Sequence, residues 1–124
     1  MDVDVIGDVL PATLVTEACV LAAASAAIED GHVAVEFVDE ARMTALNAEH
    51  RGTDSPTDVL SFPMDELDDP RGPRELGDVV ICPEHTVDLE EAVVHGVLHL
   101  TGMDHETDDG EMLALQAEIL RWVR

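Results

Sequence analysis

The sequence contains no lysine. Its six basic residues are all arginine, set against 28 acidic ones, for a formal net charge of −22. A field of that sign repels nucleic acid and anionic membranes at long range, and it favours solubility. It also concentrates divalent cations near the surface. Most of these carboxylates are read as a solvated exterior. Cysteine is scarce as well. Cys19 and Cys82 lie far apart, match no metal or redox spacing and sit in apolar runs. Buried free thiols are therefore expected rather than a disulfide, and a cytoplasmic location follows.

Long hydrophobic runs are missing too. The longest charge-free apolar stretch in the first helix is Ala18 to Ile28, eleven residues and rich in alanine. A bilayer needs about 20, so no membrane partner is expected. The opening Met1-Asp2-Val3-Asp4 carries no basic segment, so no secretory leader is expected either. No repeat or linker divides the chain. Apolar residues make up 46%, enough for a folded core. Residues 1–124 are thus expected to form a single domain.

Periodicity then suggests the elements. Strands are expected over Val3 to Val9, Val33 to Val38, Val59 to Phe62 and Leu76 to Cys82. Helices are expected from Pro11 to about Ile28, Asp39 to Glu49, Leu89 to Leu100 and Asp108 to Val123. Thr53 to Pro56 reads as a loop, and Met64 to Arg74 as an acidic, proline-bearing excursion. In the last helix Met112, Leu113, Gln116, Ile119, Leu120 and Val123 recur at helical spacing and read as a core stripe. The fold class is α+β, close to α/β: a small mixed four-stranded sheet packed with about four helices.

What is present in strength is histidine in one place. His95-Gly96-Val97-Leu98-His99-Leu100-Thr101-Gly102-Met103-Asp104-His105 holds three of the chain's six histidines. His95 and His99 share a helix face, Gly102 stops the helix, and the turn returns His105 toward the first two rings. Three converging imidazoles suit a divalent transition metal, zinc first, with one position left open for chemistry. Zinc in such a site makes hydroxide available at neutral pH and polarises carbonyl or phosphoryl oxygens, so hydrolysis is the reaction class indicated. His32 after Gly31, His50 near a helix end and His85 after Pro83-Glu84 read as solvated loop residues.

The spacing resembles the metzincin pattern H-E-x-x-H-x-x-G-x-x-H, with His95, His99, Gly102 and His105 in place. Gly96 stands where the protease has its glutamate base, which argues against ordinary peptidase chemistry. Gly96 provides either room for a bulky substrate near the metal or close packing of the helix on the sheet. Asp58, Asp78 and Asp104 read as turn or capping residues. Asp104 is also placed to orient a ligand histidine. Ser61 is a weak nucleophile candidate with no evident activating base.

A wider set of motifs carries a second resemblance. Leu46-Asn47, Arg51-Gly52, Asp54, Pro56-Thr57-Asp58-Val59-Leu60-Ser61-Phe62-Pro63, Leu76-Gly77-Asp78-Val79-Val80-Ile81-Cys82-Pro83-Glu84 and Gly102-Met103-Asp104-His105 follow in that order. From about Val33 onward the chain resembles the YbeY family of bacterial metal-dependent endoribonucleases. The resemblance implies a single zinc on His95, His99 and His105. It implies action on single-stranded RNA, in maturation of the 3′ end of small-subunit ribosomal RNA and in ribosome quality control. It also implies contacts with the ribosome or ribosome-assembly proteins, and a catalytic role for Arg51. A guanidinium suits that role, because it grips phosphate bidentately and stabilises charge in phosphoryl transfer. A helix-terminal arginine facing water is the other reading of Arg51.

Two features depart from the family. Ten residues, His85 to Val94, separate Glu84 from His95, where the family has a longer segment and more cleft wall. The charge of −22 requires either that the few arginines gather, with Arg51, Arg71 and Arg74 the candidate patch, or that the chain docks through a protein. Two alternatives stand beside the nuclease: a metal-dependent hydrolase of peptides, and a zinc-stabilised, non-catalytic ribosome assembly factor.

Overall fold

Val33 and Val35 alternate with Ala34 and Glu36, which sends one set to each face of a strand. In the computed structural model, which describes residues 1–64 and 74–124, this segment is β2 (Gly31–Phe37). β1 (Asp2–Ile6) runs parallel to it on one side. β4 (Arg74–Ile81) runs parallel on the other side, and β3 (Val59–Pro63) lies antiparallel on β4. The sheet order is β1-β2-β4-β3, the mixed four-stranded sheet expected.

Val33, Val35, Val79 and Ile81 face the larger core. There α1 (Ala12–Ala24), α3 (Leu89–Leu100) and α4 (Glu111–Val123) supply Val15, Cys19, Val97, Leu98 and Met112. The alternate residues Leu60 and Val80 join a smaller core on the other face, with Val38, Cys82 and Met43 of α2 (Glu40–Arg51). Fully burying side chains of this size is worth about 1.5–3 kcal/mol each. Both cysteines are free and buried, and burial pushes the Cys19 thiol up to about 12.

Several boundaries differ from expectation, and β2 and β4 each begin two residues early, at Gly31 and Arg74. β1 stops at Ile6, and Val9 is exposed beyond it. α1 stops at Ala24, where Ser25 Oγ donates to Ala22 O. Ala27 then takes φ 61 and Ile28 N donates to Ala23 O, which closes the helix end. α2 runs two residues past Glu49, to Arg51, which makes His50 helical. α4 starts at Glu111 with Gly110 at its N-cap, and the Asp108 carboxylate lies before the helix, accepting from Gly110 N and Met112 N. Of the acidic excursion, residues 65–73, Arg71 included, lie outside the described residues. No helix among the described residues is long and apolar enough to cross a membrane.

Candidate metal centre

Asp88 caps the N-terminus of α3, its carboxylate accepting from Glu91 N at 3.1 Å. The helix then presents His95 and His99 one turn apart. Gly102 takes φ 101, a left-handed conformation in which a side chain is strained. Asp104 Oδ1 accepts from Glu106 N at 3.0 Å and tightens the following turn. His105 thereby returns to the helix. The ring centroids lie 4.7 Å (His95–His99), 5.0 Å (His95–His105) and 5.2 Å (His99–His105) apart.

The hydrogen bonds fix which nitrogens face inward. His95 Nδ1 donates to Gln116 Oε1 at 2.8 Å, and His99 Nδ1 donates to Met103 O at 3.0 Å. Both acceptors lack protons, so each Nδ1 carries the hydrogen and each Nε2 keeps its lone pair. Those two Nε2 atoms are 3.2 Å apart. Two lone pairs converging at that distance repel, and a cation between them removes the conflict. His105 Nδ1 is buried and has no hydrogen-bond partner among the described residues. One ligand atom from each ring lies within 4.8 Å of the others, so the set could hold a metal ion. Burial pushes the His99 pKa below its ordinary value, and the neighbouring His95 adds to the effect. The uncharged, metal-binding form of the ring is thereby favoured.

Gly96 is buried on the sheet side of α3. A Cβ there would lie 2.4 Å from Val79 Cγ1, so close helix–sheet packing accounts for this glycine, and room for substrate does not. Ser61 Oγ donates to Gly96 O at 2.9 Å, tying β3 to α3 rather than standing free as a nucleophile.

The triad opens into a cleft of about 670 Å³. Arg51, exposed in the last turn of α2, lines that cleft together with His95, His99 and His105. Asp58 and Asp104 line it too. Asp58 is occupied in its turn, accepting from Val59 N at 2.8 Å. Asp78 pairs with Phe62 across the sheet, on the face away from α3. Arg74 pairs with Gly31 and does not line the cleft, so it does not join Arg51 there. On the side of the short segment before His95, a groove of about 300 Å³ reaches His95 between Asp88, Glu91, Leu113 and Gln116.

Gln116 and His50 were missed as site residues. Gln116 is buried within the helical stripe read as core, yet its amide holds a triad ring. Its polarity in an otherwise apolar stripe was the available signal. His50, read as a solvated loop residue, lines the cleft from α2. His32 and His85 are likewise placed elsewhere than expected: His32 is in β2, and His85 ends a 3₁₀ turn, 3.2 Å from Glu40.

The fold and site define an α+β protein with three convergent histidines that could hold a metal ion, set in an open cleft. Residues 9–124 match the family model described as endoribonuclease YbeY. The endoribonuclease YbeY of Leifsonia xyli subsp. xyli is 41% identical over 110 residues, covering 73% of this chain and 72% of that protein. The Mycolicibacterium gilvum protein of the same description is 46% identical over 109 residues, covering 70% of this chain and 61% of that protein. The solution structure of TM1509 from Thermotoga maritima matches with a TM-score of 0.60 at 31% identity, covering 98% of this chain and 88% of that one. The chain belongs to the YbeY endoribonuclease family.

Proposed function

We propose that this chain is a zinc-dependent, single-strand-specific endoribonuclease that matures the 3′ end of small-subunit ribosomal RNA and serves ribosome quality control. The observation that carries the reading is the pair of inward Nε2 atoms 3.2 Å apart, in a cleft that Arg51 also lines. Family membership supports the substrate class. The same reading takes residues 1–124 as one catalytic domain, working in the cytoplasm on the ribosome or with ribosome-assembly proteins.

His95, His99 and His105 would hold one zinc ion. Gln116 and the Met103 carbonyl keep two of the rings in the ligating tautomer. Zinc, when bound, supplies Lewis acidity toward a phosphoryl oxygen and toward the attacking water. Arg51 binds the phosphate at the cleft rim and offsets charge that builds up on its oxygens. The peptide-hydrolase alternative is disfavoured because position 96 faces Val79 and offers no place for a glutamate base.

The test is metal analysis and cleavage of a ribosomal RNA fragment by wild type, His99→Ala and Arg51→Ala. One zinc per wild-type chain and chelator-sensitive cleavage are expected. His99→Ala should lose metal and activity together. Arg51→Ala should keep the metal and lose roughly 10²–10³-fold in rate, the usual cost of removing one charge-stabilising donor. Intact RNA with zinc-loaded wild type, or full activity in either variant, overturns the reading. A metal-retaining Arg51→Ala variant that still supports ribosome assembly would favour the non-catalytic assembly factor.

A further inference from the structure

Among the described residues, the lining of this cleft offers little positive charge for RNA binding. Among the described residues Arg51 is the one arginine lining it, alongside Asp58, Asp104 and Glu106. Phosphate neutralisation usually supplies much of nucleic-acid affinity, and among the described lining residues three carboxylates outnumber the one guanidinium. Stacking of unpaired bases on flat side chains is the other general source, worth about 1–3 kcal/mol per base. Conventional aromatic rings are scarce: the chain has two Phe, one Trp and no Tyr. Phe37 is packed against the larger core, and Trp122 is on α4, outside the cleft lining. Apart from the triad, the only ring lining the cleft among the described residues is His50.

His50 is also braced. Its ring centroid lies 4.5 Å from that of Phe62, with the planes inclined at 55°. Phe62 is held from behind by the smaller core of Val38, Met43, Leu60, Val80 and Cys82. Phe62 does not line the cleft and His50 does, so the phenyl ring acts as a support under an exposed imidazole. Arg51 is the next residue in the same helical turn. A flat ring and a guanidinium that line one cleft match the two parts of one nucleotide.

We propose that His50, backed by Phe62, is a stacking platform for an unpaired nucleobase, and that Arg51 holds the phosphate of the same nucleotide. This subsite rests on the endoribonuclease reading and extends it: a base paired in a duplex cannot reach the platform, so the site selects single strands.

The experiment measures binding of zinc-loaded protein to a short single-stranded RNA made uncleavable by 2′-O-methylation, with a parallel series carrying one abasic nucleotide at successive positions. His50→Ala should weaken binding about 5- to 150-fold, the stacking range above converted at 1.4 kcal/mol per decade. His50→Phe should recover most of that loss. One abasic position should weaken wild type by a similar factor and His50→Ala hardly further. The log affinity of wild type should fall with log salt at a slope near −0.7, about one phosphate for a single strand. Zinc content should stay the same throughout. Wild-type affinity in His50→Ala overturns the platform, as does a salt slope several times steeper. His50→Phe that binds as weakly as His50→Ala also overturns it, because a flat ring at this position then contributes nothing to binding. Wild type that neither binds nor cuts RNA removes the endoribonuclease reading itself. Wild type that cuts while His50→Ala binds equally well removes only the subsite.

Discussion

His32 lies between two carboxylates, and His99 lies between two other imidazoles. On β2, His32 Nε2 donates to Asp4 of β1 at 2.7 Å and His32 Nδ1 donates to Glu75 of β4 at 2.8 Å. Both partners only accept, so this ring is held as imidazolium. Its pKa is raised, first by the bond to Glu75 and then by the bond to Asp4. His99 is lowered, first by burial and then by His95. Two residues of one type are thus prepared for opposite states, one to carry a proton and one to give it up. The difference is set by whether oxygen or nitrogen surrounds the ring, and by how much water reaches it.

The comparison predicts opposite responses to pH. Stability from His99 is present above its ordinary pKa of 6.5 and is lost as pH falls through the depressed folded value. Stability from His32 is present below 6.5 and is lost as pH rises through the elevated folded value. The largest effect should be on metal. Zinc affinity, measured by competition with a chromogenic chelator, should fall at least about tenfold per pH unit below the ordinary histidine pKa, because the ligands must be deprotonated. Affinity that is flat from pH 7 to about pH 5 would erase the contrast.

A smaller effect should follow Gln116→Leu, which removes the acceptor from His95 Nδ1. Zinc affinity should drop about 10- to 100-fold, and the melting-temperature gap between zinc-loaded and chelated protein should shrink. Gln116→Glu keeps an acceptor and should recover the affinity, which separates orientation of the ring from simple packing. The smallest effect should follow His32→Gln. Exposed pairs of this kind contribute about 0.2–1 kcal/mol. The variant should therefore melt slightly lower than wild type below the ordinary histidine pKa, and the two should converge in alkaline solution. A gap that widens with alkalinity would reverse the sign assigned to His32.

The triad was legible because its geometry is local: a four-residue interval on one helix, a glycine stop and a short return. The sheet was legible through alternation in β2 and the apolar end of β4. What could not be read depends on neighbours distant in sequence. His32 looked like a turn residue until β1 and β4 supplied its partners. Gln116 looked like core because helical spacing marks which face a residue occupies and not what it touches. His50 looked like loop because the hydrophobic pattern of α2 fades before the helix does. The end of α1 was overrun because alanines continue past Ala24 while the backbone turns at Ala27.

Gly96 limits what mutation can make of this helix. Gly96→Glu would complete the protease-like pattern on paper, but its Cβ would meet Val79 at 2.4 Å before the carboxylate reached any substrate. Forcing extra volume into such a contact costs about 1–3 kcal/mol or more. A valine on a neighbouring strand thus separates two hydrolytic trades that share nearly the same histidine spelling. Crossing between them requires a remodelled sheet as well as a new codon.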